Sequence, residues 1–278
     1  SSISLLYRGF DGNREKMNSM KKLIIANWKM NPRTEREAVA LARASDGGNV
    51  VICPPYPFIP AVAGVLRRAA LGSQNAAPGV VGPRTGEVSA GELKAAGVRY
   101  VILGHSERRA EGESDAQVAA KVRGALEAGL TPILCVGEPW SVRRKGLAAA
   151  RAYVQKQLTE DLKLVSRLSS PVSRMFVAYE PVWAISTSKG HRDPSTGLRI
   201  NETPADAAGM AIFIKKILVA RSSSLVPRIL YGGSVNSRTA ASFLSRREFT
   251  GVLVGGASLK PTEFKKIIAA ARQWYDTS

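Results

Sequence analysis

The sequence predicts a single-domain α/β protein in which eight parallel strands alternate with helices and close into a (β/α)8 barrel. Eight short apolar runs are continuous rather than alternating, which is typical of parallel strands buried on both faces. Stretches with helical signals separate them, and 45% of the 278 residues are apolar, which suffices for one large core. The apolar runs are residues 23–26, 50–53, 71–74, 100–103, 132–136, 175–179, 228–231 and 251–254.

Helix boundaries are marked between these runs. Three hydroxyl residues each stand three positions before a Glu or Gln, the spacing of a capping box; they are Thr34, Ser89 and Ser114. Thr203 precedes Pro204, and proline suits the first position of a helix. Gly97 and Gly129 are expected to end helices.

The main alternative fold is an open, doubly wound parallel sheet. That fold favours a glycine-rich turn after the first strand, and residues 27–31 contain no glycine. The longest connection between strands contains a segment, about residues 190–202, that is rich in glycine, proline and charge; we expect a surface insertion there. The barrel is therefore expected to span residues 21–278, and residues 1–20 to be a leader, a tag remnant or a disordered arm.

Composition restricts the partners. No apolar run approaches the roughly 18–20 residues of a membrane span. The net charge of +18 attracts anions, but the basic residues are scattered without interleaved aromatics, so we expect a solvated basic surface and no nucleic-acid partner. Cys53 and Cys135 lie in apolar runs and are expected to be reduced packing residues, which fits a cytoplasmic location. No metal-ligand spacing occurs, and neither a metal nor another cofactor is expected.

Polar residues and glycines collect where the predicted strands end, and chemistry in such barrels gathers at the C-terminal ends of the strands. They are Asn27 and Lys29 after strand 1, His105 and Glu107 after strand 4, Glu180 after strand 6, Gly232, Gly233 and Ser234 after strand 7, and Gly255 and Gly256 after strand 8. The glycines allow backbone N–H groups to approach an anion closely, which favours a phosphate site. Each residue alone has an ordinary structural explanation; their shared position indicates a site.

Six motifs, in order along the chain, resemble the triosephosphate isomerase family. They are NWKMN (27–31), ILGHSERR (102–109), LCVGE (134–138), AYEPVWAI (178–185), YGGSV (231–235) and GVLVGGASL (251–259). The resemblance extends from about residue 20 to the C-terminus. It implies a (β/α)8 TIM barrel, a cytoplasmic homodimer, and the cofactor-free isomerisation of a small phosphorylated triose in glycolysis and gluconeogenesis.

The resemblance also implies roles for individual residues. Glu180 matches the general base, His105 the neutral imidazole that polarises the carbonyl, and Lys29 the ammonium that stabilises the enediolate. Asn27 matches a polar partner of the substrate, and Glu107 a carboxylate that holds the lysine. The residues that match the phosphate site are Ser186, Ser234, Gly255 and Gly256, with Asn27 and Lys29 beside them. The residues that match the lid over the substrate are Ala184, Ile185, Ser186, Thr187 and Ser188.

The sequence departs from the family pattern at three places. Ser186 and Ser188 stand where the family has two glycines, so we expect a lid that still closes but opens at a different rate. The insertion at about 190–202, which contains the presumed surface residue His191, is longer than the usual connection. The loop at residues 74–87 resembles the family's dimer-forming loop, but Arg84 stands where an aromatic residue is common.

Two other functions fit part of the sequence. One is a phosphate-binding barrel enzyme with different chemistry, and the other is a non-catalytic barrel that binds anions or nucleic acid through its basic surface. The joint presence of Asn27, Lys29, His105 and Glu180 argues against both. Salt-sensitive binding to DNA or RNA at physiological ionic strength would favour the second.

Overall fold

The computed structural model describes residues 21–165, 175–185, 202–221 and 227–272, and it confirms the predicted barrel. Each strand pairs in parallel with the next, and the eighth pairs with the first, so the sheet is closed. The strands are β1 Leu23–Asn27, β2 Val50–Cys53, β3 Ala70–Ser73, β4 Tyr100–Leu103, β5 Thr131–Val136, β6 Phe176–Tyr179, β7 Arg228–Tyr231 and β8 Gly251–Val254.

Helices follow the strands and cover the outside of the barrel. Within the described ranges they are α1 Glu35–Ser45, α2 Ile59–Val65, α3 Ala90–Ala95, α4 Ser106–Ala110, α5 Asp115–Glu127, α6 Trp140–Arg143, α7 Leu147–Asp161, α8 Pro204–Arg221, α9 Ala240–Leu244 and α10 Pro261–Arg272. Short 3-10 turns occur at Tyr56–Phe58, Val182–Ala184 and Gly256–Leu259. Within those ranges, none of the helices is both long enough and apolar enough to span a membrane.

The predicted helix boundaries are confirmed. All three capping boxes form: each hydroxyl accepts a hydrogen bond from the backbone N–H three residues on, and that residue's side chain accepts from the backbone of the cap. Helix α8 begins at Pro204, as expected. Gly97 and Gly129 follow helices with φ of 86° and 74°, a conformation that glycine adopts without strain.

Alternation along the strands divides the core into two layers. The inner layer fills the barrel and includes Ile25, Ile133, Cys135 and Ala178. The neighbouring residues on the same strands point outward and pack against the helices. Because every second residue faces inward, the residue two positions beyond an inner residue also faces the barrel interior. This rule directs Asn27 and Glu180 into the C-terminal mouth of the barrel.

One strand is displaced from its predicted position. The apolar run 71–74 predicted a strand ending at Gln74, whereas β3 spans Ala70–Ser73. Gln74 has left the sheet, and its side-chain amide donates hydrogen bonds to the carbonyl groups of Lys29, at 2.8 Å, and Cys53, at 2.9 Å. An amide that ties two neighbouring loops together favours an early end to the strand. The displaced end of β3 thus lies beside Lys29, one of the predicted site residues.

Candidate active site

A cavity of about 310 Å³ opens at the C-terminal ends of the strands. Most of the predicted site residues line it; they are Asn27, Lys29, His105, Glu180, Ile185, Ser234, Gly255 and Gly256. Glu107 reaches the site through its ion pair with Lys29. Ala184 is buried in the turn that precedes Ile185. Ser186, Thr187, Ser188 and His191 lie outside the described residues.

Lys29 stands at the edge of this cavity on a strained backbone. Its φ is 54°, in the left-handed region that non-glycine residues seldom occupy. Two hydrogen bonds hold this conformation: the Lys29 N–H donates to Oδ1 of Asn27 at 3.1 Å, and its carbonyl accepts from Gln74 at 2.8 Å. The ammonium donates to Oε1 of Glu107. The surrounding residues thus fix the backbone of a lysine that lines the cavity.

His105 caps the short helix α4, as the SERR segment predicted. Its Nδ1 accepts a hydrogen bond from the backbone N–H of Glu107 at 3.2 Å. A ring nitrogen that accepts must carry a lone pair, so this bond assigns the proton of the neutral ring to Nε2. The ring is largely buried, and Nε2 points toward Glu180. The geometry therefore presents a neutral N–H donor to the cavity.

Glu180 is almost completely buried at the end of β6, with 1% of its surface exposed. Its Oε2 accepts from the backbone N–H of Ser106 at 3.2 Å, and its Oε1 lies 3.4 Å from Nε2 of His105. Oε1 has no hydrogen-bond partner among the described residues. A buried carboxylate oxygen with unused acceptor capacity is available to accept from a ligand in the cavity.

Two glycines make room for Glu180. A Cβ built on Gly137 would lie 1.7 Å from the backbone carbonyl oxygen of Glu180, and one on Gly232 would lie 2.7 Å from its Cγ. The sequence suggested that Gly232 serves an anion. A side chain at this position would collide with the carboxylate, so glycine here also leaves room for Glu180.

Cys135 does more than pack the core. It faces the barrel interior beside Glu180, and burial together with that carboxylate raises the pKa of its thiol well above the usual value. Its thiol therefore stays protonated. Sequence reasoning assigned this residue to packing alone. The alternation of β5 would have found its position, because Cys135 pairs with Ala178, two residues before Glu180.

Trp183 likewise has a polar contact besides its packing. Its indole N–H donates to Oε1 of Glu138 at 3.1 Å, and the Tyr179 hydroxyl lies 3.2 Å from both oxygens of the same carboxylate. Glu138 is therefore bonded to residues on both sides of Glu180. It belongs to the LCVGE motif, yet sequence reasoning gave it no role.

Three further residues line the cavity where no motif marked them: Asn236, Lys260 and Glu263. Glu263 accepts a hydrogen bond from the Ser237 hydroxyl at 3.0 Å, which joins the loop after β7 to helix α10. Lys260 adds positive charge beside the glycine pair after β8. Within the described ranges, no group of three or more His, Cys, Asp or Glu side chains is arranged to hold a metal ion.

Comparisons with known proteins agree with this geometry. The family model for triosephosphate isomerase matches residues 22–271. The chain belongs to the triosephosphate isomerase family. It is 40% identical over 264 residues to the triosephosphate isomerase of Symbiobacterium thermophilum, covering 90% of this chain and 97% of that protein. It is 41% identical over 263 residues to the triosephosphate isomerase of Acidiphilium cryptum, covering 91% of this chain and 99% of that protein.

Membership in the triosephosphate isomerase family connects the site to one type of reaction. An aldose–ketose isomerase must move a proton between adjacent carbons and between two oxygens. The cavity offers a buried carboxylate for the first transfer, an imidazole N–H for the second, and an ammonium for the charge that develops on oxygen.

Proposed function

We propose that this protein interconverts dihydroxyacetone phosphate and D-glyceraldehyde 3-phosphate through an enediolate, without a cofactor, as a step of glycolysis and gluconeogenesis. Glu180 removes a proton from the carbon beside the carbonyl and returns it to the neighbouring carbon. Nε2–H of His105 hydrogen-bonds the carbonyl oxygen and moves the proton between the two oxygens. The Lys29 ammonium stabilises the negative charge on oxygen, and the Asn27 amide contributes a further polar contact.

The phosphate is proposed to bind at the glycine pair after β8. Ser234, Gly255, Gly256 and Lys260 all line the cavity. Backbone N–H groups at glycine pairs bind phosphate oxygens because no side chain blocks their approach. The lid formed by Ala184, Ile185, Ser186, Thr187 and Ser188 is proposed to close over this group, so that the enediolate is protected from water.

One observation carries the proposal: Oε1 of Glu180, buried and without a hydrogen-bond partner among the described residues, lies 3.4 Å from Nε2 of His105 in the cavity. A base and a donor this close to each other can reach the adjacent carbon and oxygen of one substrate. An anion-binding barrel without chemistry would not gain from a buried carboxylate in its cavity, since the negative charge would repel the ligand.

The test is the initial rate of glyceraldehyde 3-phosphate isomerisation in a coupled assay. Glu180→Gln, which keeps the shape and removes the base, should lower the rate about 10²–10⁴-fold or more. Glu160→Gln is the matched control, because Glu160 lies on α7 in a surface pair with Lys163, and it should leave the rate unchanged. Equal trace rates in the parent and Glu180→Gln would indicate a contaminating enzyme and refute the proposal.

We also propose that the chain acts as a cytoplasmic homodimer joined through residues 74–87. Met30 follows the active-site lysine and is 94% exposed, and Val81 in the loop is 82% exposed. The side chain of Gln74, at the start of the loop, bonds to the Lys29 carbonyl, so these apolar residues lie on the same side of the barrel. Large exposed apolar side chains near each other are typical of interfaces.

Light scattering of the purified protein tests the dimer. Val81→Asp should shift the mass to that of a monomer, because it places a charge in the buried part of the interface. Leu147→Asp is the control, since Leu147 is 45% exposed at the start of α7, away from this loop. A parent protein that is monomeric at micromolar concentration would contradict the dimer without affecting the assignment of the reaction.

A further inference from the structure

Two buried carboxylates share one guanidinium behind the active site. The side chains of Glu138 and Glu202 are both fully buried. Nη1 of Arg143 lies 3.9 Å from Oε1 of Glu138, and its Nη2 lies 3.9 Å from Oε2 of Glu202. Two negative charges against one positive charge leave a net buried charge, which is costly away from water. Uptake of one proton by the pair removes that cost.

Glu138 is the carboxylate that has donors around it, although burial raises the pKa of its carboxyl as well. It accepts from the indole of Trp183 and from the hydroxyl of Tyr179, and its backbone carbonyl accepts from the N–H of Val182 at 3.2 Å. Hydrogen bonds from donors stabilise the charged form of a carboxylate. The guanidinium carbon of Arg143 also lies 5.3 Å from the centre of the Trp183 ring, so the cation and Glu138 both hold this ring in place.

Glu202 is the opposite case. Among the described residues neither of its carboxylate oxygens has a hydrogen-bond partner. Burial is the largest cause that raises its pKa, to about 8, and the nearby negative charges of Glu138 and Asp206 act in the same direction against Arg143. The titratable and charged groups that face it are Arg143 on α6, Glu138 after β5, Tyr179 on β6, Tyr231 on β7 and Asp206 on α8.

Building on the reaction proposed above, we infer that Glu202 is a positioning residue that acts on Glu180 through Arg143, Glu138 and Trp183. When Glu202 is a neutral acid, Arg143 pairs with Glu138 alone. Glu138 then holds Tyr179 and Trp183, which lie on either side of Glu180 in the sequence. As a carboxylate, Glu202 competes for Arg143 and weakens the attachment of Trp183. As the pH rises, the residues that flank Glu180 should thus become less firmly held at a lower pH than the one at which the protein unfolds.

Ionisation of Glu202 should therefore lower kcat. The neutral acid is lost as the pH rises through about 8, so kcat should fall between pH 7 and pH 9, and about tenfold is the upper limit, reached when the ionised form is inactive. Glu202→Gln, which is neutral at every pH, should flatten this part of the profile. Asp206→Asn, a change of an exposed acid on α8, should retain the fall but shift it to lower pH, because it removes one of the charges that raise the Glu202 pKa.

A second readout does not require turnover. Trp183 fluorescence, taken as the difference between the parent and Trp183→Phe, should titrate near pH 8, and the titration should disappear in Glu202→Gln. Glu202→Leu serves as a second neutral variant if glutamine disturbs the fold. A titration that persists unchanged in both neutral variants would overturn the inference, as would a kcat profile that Glu202→Gln does not alter.

The two experiments separate this inference from the proposed function. If the parent does not isomerise glyceraldehyde 3-phosphate, the proposed function fails, while the fluorescence titration still reports whether Glu202 controls Trp183. If the parent isomerises rapidly and Glu202→Gln changes neither the pH profile nor the titration, the isomerase stands and the positioning role is overturned.

Discussion

The short helix Ser106–Ala110 separates two groups of charged residues that differ in how they are paired. On one side the guanidinium of Arg109 donates to two aspartates and two backbone carbonyl groups at 2.5–3.3 Å. On the other side Glu180 accepts one hydrogen bond, and its second oxygen has no hydrogen-bond partner among the described residues. Both groups lie beside this helix, at the C-terminal ends of the strands.

The difference teaches how one segment supports both structure and chemistry. A buried cation with every branch bonded fixes the loops around it, because moving any of them would leave a charge without a partner. A buried carboxylate with an unused oxygen is costly to the fold, and its remaining acceptor is available to a substrate. The comparison predicts that changes on the Arg109 side alter stability, and changes on the Glu180 side alter rate.

His105→Gln should give the largest effect, and the effect should be on rate. The glutamine amide can donate a hydrogen bond but cannot pass a proton between the two oxygens, so kcat should fall about 10²–10⁴-fold, while the melting temperature changes little. Steady-state kinetics and thermal unfolding of the same preparation measure both. His191→Gln, at the second histidine of the sequence, is the control and should retain full activity. Wild-type kcat in His105→Gln would remove His105 from the chemistry.

Arg109→Met should give the largest effect on stability. It leaves Asp161, whose side chain is fully buried, without its cation, so the free energy of unfolding should fall by about 3–5 kcal/mol. Urea denaturation measures this, with Arg123→Met as control, because the Arg123–Glu127 pair is exposed and should contribute less than about 0.5 kcal/mol. A variant that stays stable but loses kcat per folded molecule would reverse the comparison.

Ser114→Ala should have a smaller effect of the same kind. Ser114 caps helix α5 and so fixes Asp115, one of the two aspartates bonded to Arg109. Loss of the cap should lower the free energy of unfolding by about 1 kcal/mol and leave kcat unchanged. Ser242→Ala, at an exposed hydroxyl of α9, is the matched control in the same urea experiment. Equal stabilities of the two variants would argue against the cap.

Glu107→Gln should have the smallest effect. Its ion pair with Lys29 is partly exposed, and such pairs contribute about 0.2–1 kcal/mol, so kcat/KM should fall less than about tenfold. The lysine stays in place because its backbone N–H donates to Asn27 and its carbonyl accepts from Gln74. Kinetics at two ionic strengths measure the effect. A loss greater than about a hundredfold would show that Glu107 contacts the reacting atoms.

Much of the fold could be predicted from the sequence because its signals are local. The strands at 50–53, 100–103, 228–231 and 251–254 have the predicted bounds, since each apolar run is bordered by turn or cap residues. The capping boxes formed for the same reason. Strand β3 ends one residue earlier than predicted because Gln74 bonds to carbonyl groups distant in sequence, and no local pattern reports such a contact.

The site could be predicted as a set of residues but not as a network. Position at strand ends indicated Lys29, His105 and Glu180, whereas the contact of Cys135 with Glu180 depends on the register of β5 against β6. Glu202 is buried, whereas the sequence predicted that it lies in a surface insertion. Its charge and its place at the end of a segment rich in glycine, proline and charge suggested exposure, and only tertiary packing brings it against Arg143.

The central claim is that Glu180 transfers the proton between adjacent carbons, and exchange with solvent tests it most directly. Dihydroxyacetone phosphate incubated with the protein in D₂O should acquire deuterium at the carbon beside the carbonyl, observed by NMR, because a carboxylic acid formed during turnover exchanges its proton with solvent. Glu180→Gln should abolish both exchange and isomerisation. Rapid isomerisation in D₂O without deuterium at carbon, or exchange undiminished in Glu180→Gln, would contradict the account.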